Sequence, residues 1–117
     1  MRAPLFVLFS LFAITSFSQV VVTHFNASWN DHNKADWIGN LEGCDITYVD
    51  ISVSPLICKR NKIKSVPTII IFNKGVEVYR VQGGLSFRVR KSLEDQLQEV
   101  IYRLSPYPPQ WKKPVLF

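Results

Sequence analysis

Short β-branched runs alternate along the chain with polar, helix-tolerant stretches. Gln19 to Phe25 (Gln-Val-Val-Val-Thr-His-Phe) is too short and too valine-rich for a helix, and it reads as a buried strand that stops at Asn26. Asn30 to Leu41 has the polar spacing of a helix, with Asn30 or Asp31 able to cap its start and Gly43 to end it. Ile46 to Ile51 predicts a second strand. A Ser/Pro turn follows, then a short basic helix from about Pro55 to Lys62, where proline fits because the first helical turn has no use for its N–H. Thr68 to Phe72, the turn Asn73-Lys74-Gly75, and Val76 to Val81 read as an antiparallel hairpin. A last helix is expected over Ser92 to Leu104, with Leu93, Leu97, Val100, Ile101 and Leu104 on one stripe.

This order predicts an α/β fold, a central four-stranded mixed sheet flanked by helices on both faces. Strands joined through crossover helices are expected to run parallel, and the hairpin strand antiparallel. There are no internal repeats.

The two ends read differently from this domain, residues 19 to 104. Residues 1 to 18 have a positive start at Arg2, an apolar run from Leu5 to Phe17, and small residues at Ser16 and Ser18. That is the layout of a secretory signal peptide cut after Ser18, which would make the mature protein secreted, periplasmic or otherwise exported. About 13 apolar residues fall short of the roughly 20 needed to span a bilayer, so membrane association is expected only if the segment is retained. It could also pack as a first strand or helix. Residues 105 to 117 form an extended, proline-rich basic tail whose Tyr107, Trp111, Leu116 and Phe117 could dock on a neighbour or on the domain.

With 117 residues the chain has room for one domain of ordinary size, which excludes separate cofactor and substrate lobes. Hydrophobic residues at 47% exclude disorder as the main state. The net charge of +5 is uneven: residues 1 to 57 carry two bases against five acids, and residues 58 to 117 twelve bases against four acids. Basic side chains group at Lys59, Arg60, Lys62 and Lys64 and again at Arg88, Arg90 and Lys91. No aromatic residue interleaves with the first group, so a solvated face is expected rather than a nucleic-acid surface. Cys44 and Cys58 are too few for a disulfide framework and too far apart in sequence for a zinc knuckle. His24 and His32 complete no metal-ligand pattern, and neither a metal nor another cofactor is expected.

Lys64-Ser65-Val66-Pro67-Thr68-Ile69-Ile70-Ile71-Phe72-Asn73-Lys74-Gly75, with Val81-Gln82-Gly83-Gly84 after it, resembles the cis-proline loop, hairpin and glycine turn of the thioredoxin family. Phe25, Ala27, Trp29 and Lys34 also match that family's active-site segment. The redox cysteines do not match: Asn30 and Asn33 stand in their places, around Asp31-His32. The resemblance covers residues 19 to about 104 and implies a thioredoxin-like fold. It also implies a cis bond before Pro67, an exposed Val66 backbone that pairs with an extended peptide, and a shallow groove lined by Trp29, Pro67 and Gly83. Pro67 could instead merely shape its loop. His24 takes the place of the family's buried acid and is expected to be a hydrogen-bonded core residue.

Disulfide exchange needs a thiolate with a lowered pKa and a second thiol to resolve the mixed disulfide. Asparagine supplies neither, so Asn30 is expected to serve as a helix cap and the site to be redox-inactive. Cys44 and Cys58 are separated by a strand that carries the chain some 20 Å, which places them beyond the ~7 Å reach of a disulfide. Both read as apolar fillers; the sharper alternative is a lone reactive thiol at Cys44 with a low pKa. The expected function is therefore a peptide- or protein-binding or assembly module working through the cis-proline groove or the C-terminal tail. The alternatives are a thiol-disulfide oxidoreductase built on Cys44, with a part in cell redox homeostasis, and a small subunit of a larger complex held by its two ends.

Overall fold

The computed structural model describes residues 19 to 104, so the expected signal peptide and proline-rich tail lie outside the described residues. Four strands form one sheet: β1 (Val20–Asn26), β2 (Asp45–Asp50), β3 (Thr68–Asn73) and β4 (Val76–Gln82), in the order β2-β1-β3-β4. Two α-helices accompany it, α1 (Pro55–Arg60) and α2 (Glu94–Leu104). The expected four-stranded mixed sheet is present, and β3 and β4 form the expected hairpin.

Two expectations are corrected. β1 and β2 are parallel, but β3 is antiparallel to β1, with Phe25 opposite Thr68 and Val20 opposite Asn73. The six residues of α1 rise only about 9 Å at ~1.5 Å each, about half the length of β2, so the chain re-enters the sheet from the end it had left. The stretch expected to form one helix from Asn30 to Leu41 instead makes two 3₁₀ segments, Ser28–Asn33 and Asp36–Asn40. Asn, Asp, His and Gly crowd this stretch, and their short polar side chains or missing Cβ compete with helical hydrogen bonding.

The strand period divides the core between the two faces of the sheet. Val20 and Val22 of β1 and Ile69 and Ile71 of β3 meet Ala35, Ile38 and Leu41 of the 3₁₀ region, Val89, and Leu97 and Ile101 of α2. The opposite face holds a smaller cluster of Phe25, Ile70 and Cys58 of α1. Polar ties fix both covers. The Gln98 side chain of α2 accepts from the Glu42 N–H and donates to its carbonyl, each at 2.8 Å. Arg80 of β4 pairs with Glu77 and donates to the carbonyls of Asn61 and Lys62, which binds the end of α1 to the sheet.

Ile101 has no exposed surface and sits where α2 meets the larger cluster. Ile101→Ala is expected to cost about 2–5 kcal/mol through lost transfer energy and the cavity left behind. Urea unfolding followed by circular dichroism reads this directly.

Candidate functional site

At the carboxyl end of β1 the chain turns into a polar cluster built around one buried amide. Asn30 is 1% exposed although it lies in a surface segment. Its Nδ2 donates to Asn26 Oδ1 and to the Phe87 carbonyl, both at 3.0 Å, and its Oδ1 accepts from Asn33 Nδ2 at 2.9 Å. Asn26 Nδ2 donates in turn to the Asn30 carbonyl at 3.1 Å. Every donor and acceptor of the Asn30 side chain but one lone pair is thereby engaged. Asn30 is thus not the expected helix cap: its backbone is non-helical (φ −109°, ψ 18°), the segment begins after Ala27, and no side chain caps it. The amide instead joins β1, the 28–33 segment and the loop after β4. Asn33, the second degenerate position, is part of the same network.

The peptide bond between Val66 and Pro67 is cis. Gly83 donates its N–H to the Pro67 carbonyl at 2.8 Å, and a Cβ at Gly83 would come 2.7 Å from Pro67 Cδ and 3.0 Å from the Arg88 nitrogen. Only glycine fits there. Val66, Pro67 and Gly83 therefore converge, but they are buried, Val66 to 5% exposure. The Val66 N–H and carbonyl make no hydrogen bond among the described residues. Of the four residues expected to line the groove, Trp29 alone is well exposed, at 62%, and its ring packs edge-on against Phe87 at 5.3 Å.

Phe87 and Asn26 were not singled out by the sequence. Asn30 and Asn33 do carry a signal, since a spacing of three residues places side chains within mutual reach in a turn. Phe87 carries none: it takes a left-handed backbone (φ +56°) in a loop with no glycine at that position.

His24 is buried beneath this region, and its Nε2 accepts from the Ala35 N–H at 3.0 Å. Burial, reinforced by the Lys34 ammonium, lowers its pKa to about 4, against opposing effects of a backbone hydrogen bond, Asp36 and Asp31. The expectation of a hydrogen-bonded core histidine holds. Its ring lies 5.5 Å from that of Tyr48, over which Lys34 Nζ sits at 4.3 Å. Beside them opens a cavity of about 430 Å³ lined by His24, Ser28, Asp31, Lys34, Tyr48 and Asp50. Hydrogen bonds from Ser28 and Ser52 hold the Asp50 carboxyl below its usual range.

Cys44 and Cys58 are both free thiols, one packed against the larger core cluster and the other inside the smaller one. The surroundings of Cys44 do not favour the sharper expectation. Burial, with the Asp45 carboxylate beside it, pushes its thiol up to about 11, opposite to the lowered pKa that a reactive cysteine needs. Burial raises Cys58 as well. Among the described residues no three His, Cys, Asp or Glu side chains group as metal ligands, and no helix is long and apolar enough to cross a membrane.

No known family profile matches the sequence, and no curated protein is similar to it. Solved structures are similar in fold. A mutant thioredoxin from Halobacterium salinarum is 21% identical with a TM-score of 0.60, over 85% of this chain and 86% of that one. Thioredoxin NaTrxh from Nicotiana alata is 16% identical with a TM-score of 0.59, over 85% and 86%. Fasciola hepatica thioredoxin is 21% identical with a TM-score of 0.57, over 88% and 93%. The chain therefore has a thioredoxin-like fold, with asparagines at the two positions where the family's motif has cysteine.

Two outcomes test the titrations. Unfolded His24, with the ordinary value of 6.5, binds a proton before folded His24 does, so its contribution is complete above about pH 6.5 and is lost as pH falls toward 4. Up to about 3 kcal/mol of stability should disappear across that window, and His24→Gln should flatten the slope of denaturation free energy against pH. Alkylation of Cys44 by iodoacetamide near neutral pH should run about a hundred-fold slower than for an unperturbed thiol, measured by mass spectrometry of the native protein.

Proposed function

We propose that this thioredoxin-fold chain is a protein- or peptide-binding module that has exchanged dithiol chemistry for a fixed amide network. The observation that carries the proposal is the saturation of Asn30. Its side chain occupies the nucleophile's position in the motif and is committed to Asn26, Asn33 and the Phe87 carbonyl. A buried amide held this way has neither a thiolate to attack a disulfide nor a proton to give.

What remains at the site favours recognition. The N–H and carbonyl of Val66 are unpaired among the described residues, the Trp29–Phe87 pair offers exposed aromatic surface, and a buried backbone group without a partner costs about 1–3 kcal/mol. An extended segment laid along residue 66 would satisfy both groups, the strand-addition mode in which main-chain bonds give affinity and flanking side chains give selectivity. Val66 is covered in the free protein, at 5% exposure, so binding requires its cover to yield a little.

The raised thiols weigh against an oxidoreductase built on Cys44. Assembly into a larger complex through the chain ends rests on residues outside those described.

Insulin reduction and amide hydrogen exchange test the proposal together. The full chain, Cys44→Ser and Cys58→Ser should all give no turnover above buffer with dithiothreitol as the reductant. Exchange at the Val66 amide should slow about tenfold or more when an extended apolar hexapeptide is added. Turnover that disappears with one cysteine would establish an enzyme instead, and unchanged exchange at saturating peptide would remove edge pairing.

A further inference from the structure

The loop that follows Gly83 has two unlike sides. Leu85 and Phe87 point outward at 99% and 43% exposure, and with Trp29 they make an apolar ridge. Residues alternating with them, Gly84, Ser86 and Arg88, join Gln82, Arg90 and Leu93 around a cavity of about 320 Å³. The loop is fixed rather than trailing. Val89 is buried in the larger core cluster, the Phe87 N–H donates to the Gly84 carbonyl at 3.0 Å, and the Phe87 carbonyl accepts from Asn30. Ridge and cavity therefore keep a constant relation to each other.

Arg88 and Arg90 both line this cavity and are exposed, with Lys91 next in sequence, and none of the three has an ion-pair partner among the described residues. Arginine presents a planar fork of donors suited to carboxylates. We propose that the 84–90 loop selects partner segments in which an aspartate or glutamate side chain accompanies apolar residues: Trp29, Leu85 and Phe87 take the apolar side chains, and the Arg88–Arg90 cavity takes the carboxylate. This rests on the peptide-binding role proposed above and adds the partner's chemistry to it.

Charge separates this occupant from two others. The chain's own tail, residues 105 to 117, carries Lys112 and Lys113 and no acidic side chain, so it is repelled by the arginines. A nucleic acid would be drawn to them, but Asp31 lies two residues from Trp29, and Asp50 is held by Ser28, the residue next to Trp29. A phosphate backbone crossing the ridge would meet these carboxylates. The aromatic pair is also closed edge to face, and its neighbour Leu85 is aliphatic, so the ridge offers no open stacking platform.

Fluorescence anisotropy with the full chain tests the preference. The probes are labelled, C-terminally amidated peptides with the core Val-Leu-Phe-Val between paired glutamates or between paired lysines, and an oligothymidylate of about 12 nucleotides. The acidic peptide should bind about tenfold more tightly than the basic one at about 50 mM salt, and the ratio should shrink to about twofold at 0.5 M. Arg88→Glu with Arg90→Glu should reverse the preference, and Arg88→Gln with Arg90→Gln should abolish it. Circular dichroism confirms that each variant is folded. Equal binding of the two peptides overturns the acidic preference and leaves the binding role standing, whereas binding of neither overturns both. Tighter binding of the oligothymidylate overturns the assignment in favour of a nucleic acid.

Discussion

The site depends on the hydrogen bonding of one buried amide. Asn30 is wrapped by protein in a segment that is otherwise mostly solvated, and three separate stretches of chain supply its partners. A polar group buried without partners costs roughly 1–3 kcal/mol, so the position of Asn30 forces Asn26, Asn33 and the carbonyl of Phe87 into place around it. Through Phe87 the constraint reaches the loop after β4, and through Gly83 and Pro67 that loop meets the cis-proline turn. The same geometry that would have carried a reactive sulfur carries a structural bond.

The two sheet faces explain why the cysteines are poor substitutes. Cys44 precedes β2 and packs with the larger cluster, while Cys58 lies in α1 among the smaller one, so the sheet itself stands between the environments they occupy. Each thiol lies where burial opposes ionisation, and a carboxylate, Asp45 for Cys44 and Asp50 for Cys58, opposes it further. Near the start of the 28–33 segment, at the position matching the first cysteine of the thioredoxin motif, an asparagine is buried instead.

Much of this was legible from residue patterns. The valine run at the start, the Asn73-Lys74-Gly75 turn and the stripe of Leu97 and Ile101 each obey a strong local rule, and each lies where that rule puts it. The failures share a cause. The direction of β3 depends on how far α1 carries the chain, which composition does not state, and the break within residues 28 to 40 arises because asparagine and histidine side chains find partners far away in sequence. His24 bonds to the Ala35 N–H eleven residues on, and Asn30 to a carbonyl fifty-seven residues on. The substitution of both cysteines was plain in the sequence. Its structural use was not, because Phe87 has no local signature and the burial of Val66 follows from packing alone.

Without a sulfur, any partner is held by non-covalent contacts only, and their size can be bounded. Trp29, Leu85 and Phe87 are exposed to 62%, 99% and 43%, and covering them would remove about 400 Å² of mostly apolar surface, worth about 10 kcal/mol at ~25 cal/mol per Å². Association itself costs about 4–15 kcal/mol in lost freedom and ordering, so the ridge alone gives little net affinity. Main-chain pairing at Val66 must supply part of the remainder. Because main-chain bonds are the same for every sequence, they cannot discriminate between partners, and the apolar ridge discriminates only weakly. Discrimination then falls to the charged groups at the rim, which set encounter rate and register even when they add little to affinity. In a molecule whose bases lie mostly after Cys58 while its acids divide five before and four after, Asp31 and Asp50 line one cavity of the site and Arg88 and Arg90 the other. On the binding proposed here, a partner whose acidic groups turn toward the Arg88–Arg90 cavity would have one orientation in which its charges are matched, and that orientation would fix its chain direction along Val66.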